Sequence, residues 1–574
     1  PPIGTQGQGS GTPQIQYMYI STPNENPIDV IITPIGGDPI TVSISNSNPY
    51  EYFIGNGNQT NFIALSEDSG QTFNNKGFIV EGEDLVYVSA RLFTSDAYYQ
   101  AAGLVSKGLA ALGTTFRVGT FENLGDDMSN SFLNFVTVLA TEDNTTVNFS
   151  DFGNGVTVVN NAPINDVILN SGESYLIAIK PGDNINNSDA LIGVLVESDK
   201  PIAVNSGSIT GSNANTTTDS NGQDAGIDQI VPVERIGTEY IFVRGIGPDQ
   251  IERPLIVAHE PNTEVYVNGT LEYTIAQAGE HWSVPSSFYG VSYDQYGQGP
   301  DIGVSSNMYV ETSKPVFAYQ VIGGIRPGTE GPFGAGTGIP NQGLFFVPPI
   351  NCQTPSIVNN IAAINKLGPD FAFGGVVTIV TETGSTVLIN GNDISDFAGD
   401  VQPVNGNPLF ETYTVEGLTG NVSIVSSSQV YVASFGAYDY ATFGGYYSGF
   451  AYQPEIVLEE ITVGSEGCIP NLELRLNSIS IFDQYQWYFN GEMIDGAIGN
   501  SFTPTEPGYY QISGAVDDCE GILLSDNIPV SACPPDTDFD GVNDNIDIDI
   551  DNDGMLNCEE SLGDKNIDFS GDID

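Results

Sequence analysis

Apolar and polar residues alternate in short runs along most of the chain, as in VLATEDNTTVNFSDFG around Val147 and LIVAHEPNTEVYVNG around Val265. A period of two predicts half-buried strands joined by polar turns. The same strand–turn–strand phrase recurs as NPIDVIITPIGG around Val30 and VTIVTETGSTVLING around Val387, so the four valines stand 117, 118 and 122 residues apart. A closing phrase keeps step with it: EDLVYVSARLF from Glu83, SDKPIAVNSGS from Ser198, TSKPVFAYQVIGG from Thr312 and SSQVYVASFGAY from Ser427. Pro201 and Pro315 suit the first residue of a strand, where a missing N–H costs no ladder bond. The pattern predicts an all-β chain whose first part holds four repeats of about 115 residues.

Units of this size fold either as tandem sandwiches or as parts of a closed, propeller-like ring, and periodicity does not choose between them. Long connectors separate the repeats, from Gly103 to Thr120, Gly207 to Tyr240 and Gly323 to Leu367. Their polar composition reads first as solvated linkers, with binding loops as the functional alternative.

The phrases GLVSKGLAALGTTFRVGTF from Gly103, GIDQIVPVERIGTEYIF from Gly226 and SDKPIAVNSG carry a resemblance. Together with the repeats, over residues 15–455, they resemble the N-terminal domain of IgGFc-binding protein, as found in bacterial surface proteins. The resemblance implies an extracellular interaction module without known chemistry. It implies neither a particular ligand nor antibody binding. Residues 1–14 form an N-terminal extension to this region.

Composition narrows the function. Of 574 residues, 72 are acidic and 14 basic, giving a net charge of −58. Nucleic acid is excluded as a partner, because phosphate binding needs clustered cations. Charged residues make up 15% of the chain while 67 residues are Gly, 27 Tyr and 29 Phe, which favours strands and turns over helices paired by opposite charges. No run approaches the roughly 18 apolar residues of a membrane span, so no direct membrane insertion is expected. Residues 1–13 lack the regions of a signal peptide, and the expectation is an extracellular or cell-surface chain whose leader is removed and which belongs to a longer protein.

From Ile456 the phrasing changes. YQWYFNGEMIDGA and SFTPTEPGYYQISGAVDDC resemble an immunoglobulin-like sandwich over residues 456–532, with Trp487 between sheets, a turn at Asn490 and Gly491, and a corner tyrosine among Tyr509 and Tyr510. Ile512 stands where antibody domains place the second cysteine. Of the five cysteines, Cys468, Cys519, Cys533 and Cys558 lie in the last part of the chain, and paired thiols there fit an oxidising compartment. The favoured bridge is Cys468–Cys519, stabilising by about 4 kcal/mol on the chain-entropy estimate. A Cys533–Cys558 bridge is the second expectation. Cys352 reads as a buried small hydrophobe, and no CxxC pair supports zinc.

Residues 533–574 carry the clearest chemical signal. After Cys533 there are 14 acids against Lys565 alone. Such a segment repels itself unless a hard cation neutralises it. Calcium loops of the EF-hand type take oxygens from the first, third, fifth, seventh, ninth and twelfth positions, with Gly at the sixth for the turn. Asp536, Asp538, Asp540, the Val542 carbonyl, Asp544 and Asp547 fill one such register, with Gly541 at the sixth place. Asp549, Asp551, Asp553, the Met555 carbonyl, Asn557 and Glu560 fill a second, with Gly554. A third start at Asp564, Asn566, Asp568 and Asp572 lacks the glycine. Magnesium is disfavoured because it holds compact, partly hydrated octahedra. The segment resembles thrombospondin type 3 repeats, which implies a calcium-stiffened spacer.

No catalytic signature accompanies these modules. His259 and His281 read as surface or turn histidines, and no GxSxG or phosphate-loop motif occurs. DMSNS at Asp127, Ser129 and Ser131 has the spacing of a metal-dependent adhesion site but lacks the alternating helices of that fold, so chance is the better reading. The chain is therefore read as a non-enzymatic adhesin or surface-recognition protein that meets an extracellular glycan or protein. Gliding or attachment adhesins of Bacteroidota are its nearest functional company. The alternatives are a subunit of an extracellular fibre or surface layer, and a carbohydrate-active enzyme using paired carboxylates.

Overall fold

The four repeat valines fall on equivalent strands, Ile28–Pro34, Thr145–Ser150, Thr263–Val267 and Val387–Ile389, and all four side chains are buried. The computed structural model describes residues 2–3, 13–94, 100–123, 132–213, 224–245, 247, 249–291, 306–323, 342–351, 354–397, 401–438, 441–450, 456–460, 468–469, 472–476, 482, 484–515, 523–533, 537–538, 544, 548–550, 552 and 554–556. Among these residues there is no α-helix, only strands and short 3-10 turns. Two compact units result, Pro1–Tyr452 and Gln453–Asp574.

In the second and third repeats one long strand builds the sheet. The first part of Leu195–Gly211 pairs with Gly113–Arg117 and Thr145–Ser150, and the rest with Leu133–Ala140 and Asp224–Ile230. Pro201 falls where the strand passes from one set of partners to the other, so its missing N–H breaks no ladder. Asn307–Gly323 repeats the wiring with Gly237–Val243, Thr263–Val267, Leu255–Ala258 and Gln342–Phe346. In the fourth repeat the same path breaks into Val422–Ser426 and Val430–Tyr438, which leaves two separate sheets. The first repeat splits it as Phe78–Gly82 and Tyr87–Phe93.

The first and fourth repeats thus hold two sheets each, the second and third one continuous sheet carried by the long strand, and the four close a ring. The last strand of each, Ala101–Val105, Asp224–Ile230, Gln342–Phe346 and Ala441–Tyr446, packs on the next, and the fourth packs back on the first. Glycine allows this approach. A Cβ on Gly226 would stand 2.6 Å from Leu344 Cβ, and one on Gly444 2.6 Å from the Phe345 ring. Two of these axis strands and most of the first lie inside the connectors read as solvated linkers, the fourth lying outside them. That expectation is corrected: each connector carries a buried strand around which the ring is built.

The second unit pairs a sheet of Ile456–Glu460, Leu472–Leu476 and Ser501–Phe502 with one of Glu492–Met493, Gln484–Phe489, Gly508–Ala515, Leu523–Leu524 and Ile528–Val530. Trp487 is fully buried, stacks on Phe502 and donates its ring N–H to Gly499 O at 2.8 Å. Tyr510 donates its hydroxyl to Glu506 O at 2.8 Å, the backbone contact of a sandwich-corner tyrosine. The bridge differs from expectation. Cys468 pairs with Cys533, because Ile469 and Ala532 form a parallel bridge and Cys533 N–H donates to Ile469 O at 2.9 Å, leaving the cysteine Cα atoms 5.0 Å apart. This excludes both the Cys468–Cys519 and Cys533–Cys558 pairings.

Candidate functional site

Three groups of side chains carry chemistry, beginning with the joints of the ring. Asp224, on the second axis strand, is fully buried and accepts N–H groups from Ala101, Ala225 and Thr442, so one carboxylate ties three repeats. Burial pushes its pKa well above the usual carboxylate value, against the pull of those three amides. One turn of pleat further on, Asp228 meets Lys107 of the first repeat, both side chains being closed off from solvent. Arg91 is buried without a carboxylate: its guanidinium donates to Ala362, Ala363 and Lys366 carbonyls of the fourth repeat and lies over the Tyr19 and Phe443 rings.

Between the second and third repeats, Glu122 pairs with Arg253 at 2.6 Å and faces His281 at 3.7 Å, with Asp189 3.9 Å from the same imidazole. His281 is therefore an inter-repeat contact, not the surface histidine expected from GEHW. Burial alone would raise the Glu122 pKa, but His281 and Arg253 outweigh it and hold the carboxyl below its ordinary value. His259 is half-buried at the turn after Leu255–Ala258, beside the Phe317 ring. These joints escaped the sequence reading, although the scarcity of cations was a usable signal. A chain with 14 Lys and Arg that buries Arg91, Lys107, Arg117 and Arg244 uses them for architecture.

The second group is an aromatic pair with one exposed member. Tyr273 and Trp282 stack with centroids 5.1 Å apart and planes within 11°, while Tyr273 and Leu271 are exposed. Tyr273 and Leu271 lie on Thr270–Ile275, an edge strand of the third repeat where all residues but Ile275 face solvent, while Trp282 lies on His281–Ser283 at the other end of that sheet, half-buried against the core. Tyr266 donates its hydroxyl to Glu264 at 2.8 Å on the neighbouring strand.

The third group is the acidic segment. Of the expected calcium ligands, Asp538, Asp544, Asp549 and Met555 are described, and Asp536, Asp540, Val542, Asp547, Asp551, Asp553, Asn557 and Glu560 lie outside the described residues. Asp127, Ser129 and Ser131 lie outside them as well, as do Cys352, Cys519 and Cys558. Asp549 accepts the Gly554 N–H at 3.1 Å, its own carbonyl accepts Asn552 N–H, and Gly554 takes φ of 93°. Asp549 and Gly554 thus close a local turn, glycine being the residue that adopts that φ without strain. In the first register Asp544 accepts both the N–H and the hydroxyl of Thr537 at 2.8 Å. Hard carboxylate and carbonyl oxygens are of the kind that suits calcium. Among the described residues, no three His, Cys, Asp or Glu side chains converge on one point.

Comparison with known proteins adds one decisive match. The family described as IgGFc binding protein matches residues 102–436, more than half of the 574 residues. The chain belongs to this family. Membership places it among extracellular binding proteins, and the matched stretch covers the second and third axis strands complete and most of the first, ending before the fourth. No curated protein matches the sequence. Among solved structures, Sidekick-1 immunoglobulin domains 1-5 aligns over 91% of this chain and 100% of that chain at 9% identity, but its TM-score of 0.10 carries no argument. No helix of the described residues is long and apolar enough to cross a membrane.

Proposed function

We propose that the chain is an extracellular adhesin whose ring of four repeats presents a recognition surface to a glycan. The observation that carries this reading is the stack of exposed Tyr273, on an edge strand, against half-buried Trp282 in a member of a binding family. Exposed aromatic surface marks a binding surface, and Tyr273 offers a sugar both a ring face and a hydroxyl that can donate or accept. In this reading the family is a binding family and no residue is assigned a catalytic step.

The acidic segment serves as a calcium-stiffened spacer in the manner of the thrombospondin type 3 repeats it resembles. Asp536, Asp538, Asp540, Val542, Asp544 and Asp547 would hold one ion. Asp549, Asp551, Asp553, Met555, Asn557 and Glu560 would hold another. Calcium bound there supplies charge neutralisation, and the chain supplies the turn at Gly554 and the anchored start at Cys533.

Screening the full chain and its Trp282→Ala and Tyr273→Ala variants on a glycan array tests the recognition surface. Binding of the parent to a defined glycan set, lost in both variants with melting unchanged, supports it. Equal binding by parent and variants sinks the assignment, and calcium-dependent self-association without glycan binding favours the fibre subunit.

A further inference from the structure

We infer that Lys107 and Asp228 are joined by an amide bond that locks the first repeat to the second. The two residues are 121 apart in sequence, and Lys107 Nζ contacts Asp228 Oδ1 directly. Their side chains are 0% and 2% exposed, so water competes at neither partner. The Phe450 ring lies 5.6 Å from Nζ, and Phe346 and Tyr319 pack together in the same core.

The contacts around the pair are those an amide needs. Asp228 Oδ2 accepts Phe346 N–H at 2.9 Å, Oδ1 accepts Gln229 N–H at 2.9 Å, and Lys107 Nζ donates to Val105 O at 3.0 Å. Lys107's own backbone N–H donates to Gln229 Oε1 at 2.7 Å and fixes the base of its side chain. Oriented backbone donors stabilise the oxyanion of acyl transfer when water is excluded, and a fixed contact replaces a bimolecular encounter. Burial also moves both groups toward their neutral, reactive forms, lowering the amine and raising the acid against their mutual attraction.

The step balances without a co-reactant. The neutral amine attacks Cγ, a C–N bond forms, and the tetrahedral oxyanion at Oδ2 is held by Phe346 N–H. Oδ1 then leaves as water, carrying the acid proton and one proton from Nζ. In the product, Oδ2 keeps Phe346 as donor and the single remaining N–H keeps the Val105 carbonyl. An ion pair that would otherwise suffer a large desolvation cost becomes a neutral, fully hydrogen-bonded amide.

Intact mass spectrometry of the full, reduced chain, followed by peptide mapping, decides the matter. The expected result is a mass one water below that of the sequence and a branched peptide joining Lys107 to Asp228. Lys107→Met and Asp228→Ala should each appear at their own sequence mass, and each should lack the branched peptide. A parent chain at full sequence mass overturns the inference and leaves a buried ion pair. A missing water mapped to another site, such as a succinimide at an Asp-Gly pair, overturns it equally.

Discussion

Asp224 on the second axis strand accepts the backbone N–H of Ala101 on the first at 2.8 Å, and its other oxygen accepts that of Thr442 on the fourth. One buried carboxylate therefore completes strands whose own ladders end at the axis. Asp224→Ala leaves buried amides unpaired and should lower the stability of the ring by about 3 kcal/mol, read by chemical denaturation of the full chain.

The same residue has a pH signature. Its folded pKa lies well above the ordinary 3.8, so the native state holds this proton where the unfolded chain has released it. The Asp224 contribution to stability therefore falls as pH rises from that ordinary value through the folded pKa. Asp224→Asn should flatten this part of the melting-temperature profile. An unchanged profile would show that the carboxyl does not titrate at the axis.

Glu122 works in the opposite sense. Held below its ordinary value of 4.5, it contributes stability above that pH, lost as pH falls through the folded pKa. Glu122→Gln should destabilise the parent by about 3 kcal/mol at neutral pH. The gap should close in acid. A gap that persists at low pH would assign the loss to packing instead of to the Arg253 and His281 contacts.

Calcium should bind the full chain at about two sites. Gly554→Val, strained at φ of 93°, should remove one of them in calorimetry, and chelation should make the acidic segment protease-sensitive while the ring keeps its melting transition. Normal binding by the variant would separate calcium from this loop.

Cys468→Ser opens a bridge that spans 65 residues and should cost the second unit about 4 kcal/mol. Its melting transition, followed through Trp487 fluorescence, should fall while that of the ring stays in place.

Repeat spacing was legible because Val30, Val147, Val265 and Val387 keep one position on one strand, and periodicity reports such burial directly. Trp487 and the Tyr510 corner were legible for the same reason. The axis strands were not. AAGLV is small and apolar throughout and DAGIDQI mixes small, polar and apolar residues; strands that pack on one another at close range lose the plain alternation that marks a strand. The bridge partner of Cys468 was equally hidden, since a parallel contact between Ile469 and Ala532 leaves no trace in local pattern. In the acidic segment the turn at Gly554 was legible because glycine adopts a positive φ without strain.

The Cys468–Cys533 bridge sits at the two mouths of the immunoglobulin-like unit, and that placement has a mechanical meaning. A pull between the ring and the acidic segment travels through the sulfur–sulfur bond, so every strand from Leu472–Leu476 to Ile528–Val530 lies in a bypassed loop. Only the edge strand Ile456–Glu460 remains in the line of tension and can be peeled away. Reduction would release on the order of 200 Å of hidden length, so the reach of this unit under load would depend on its oxidation state.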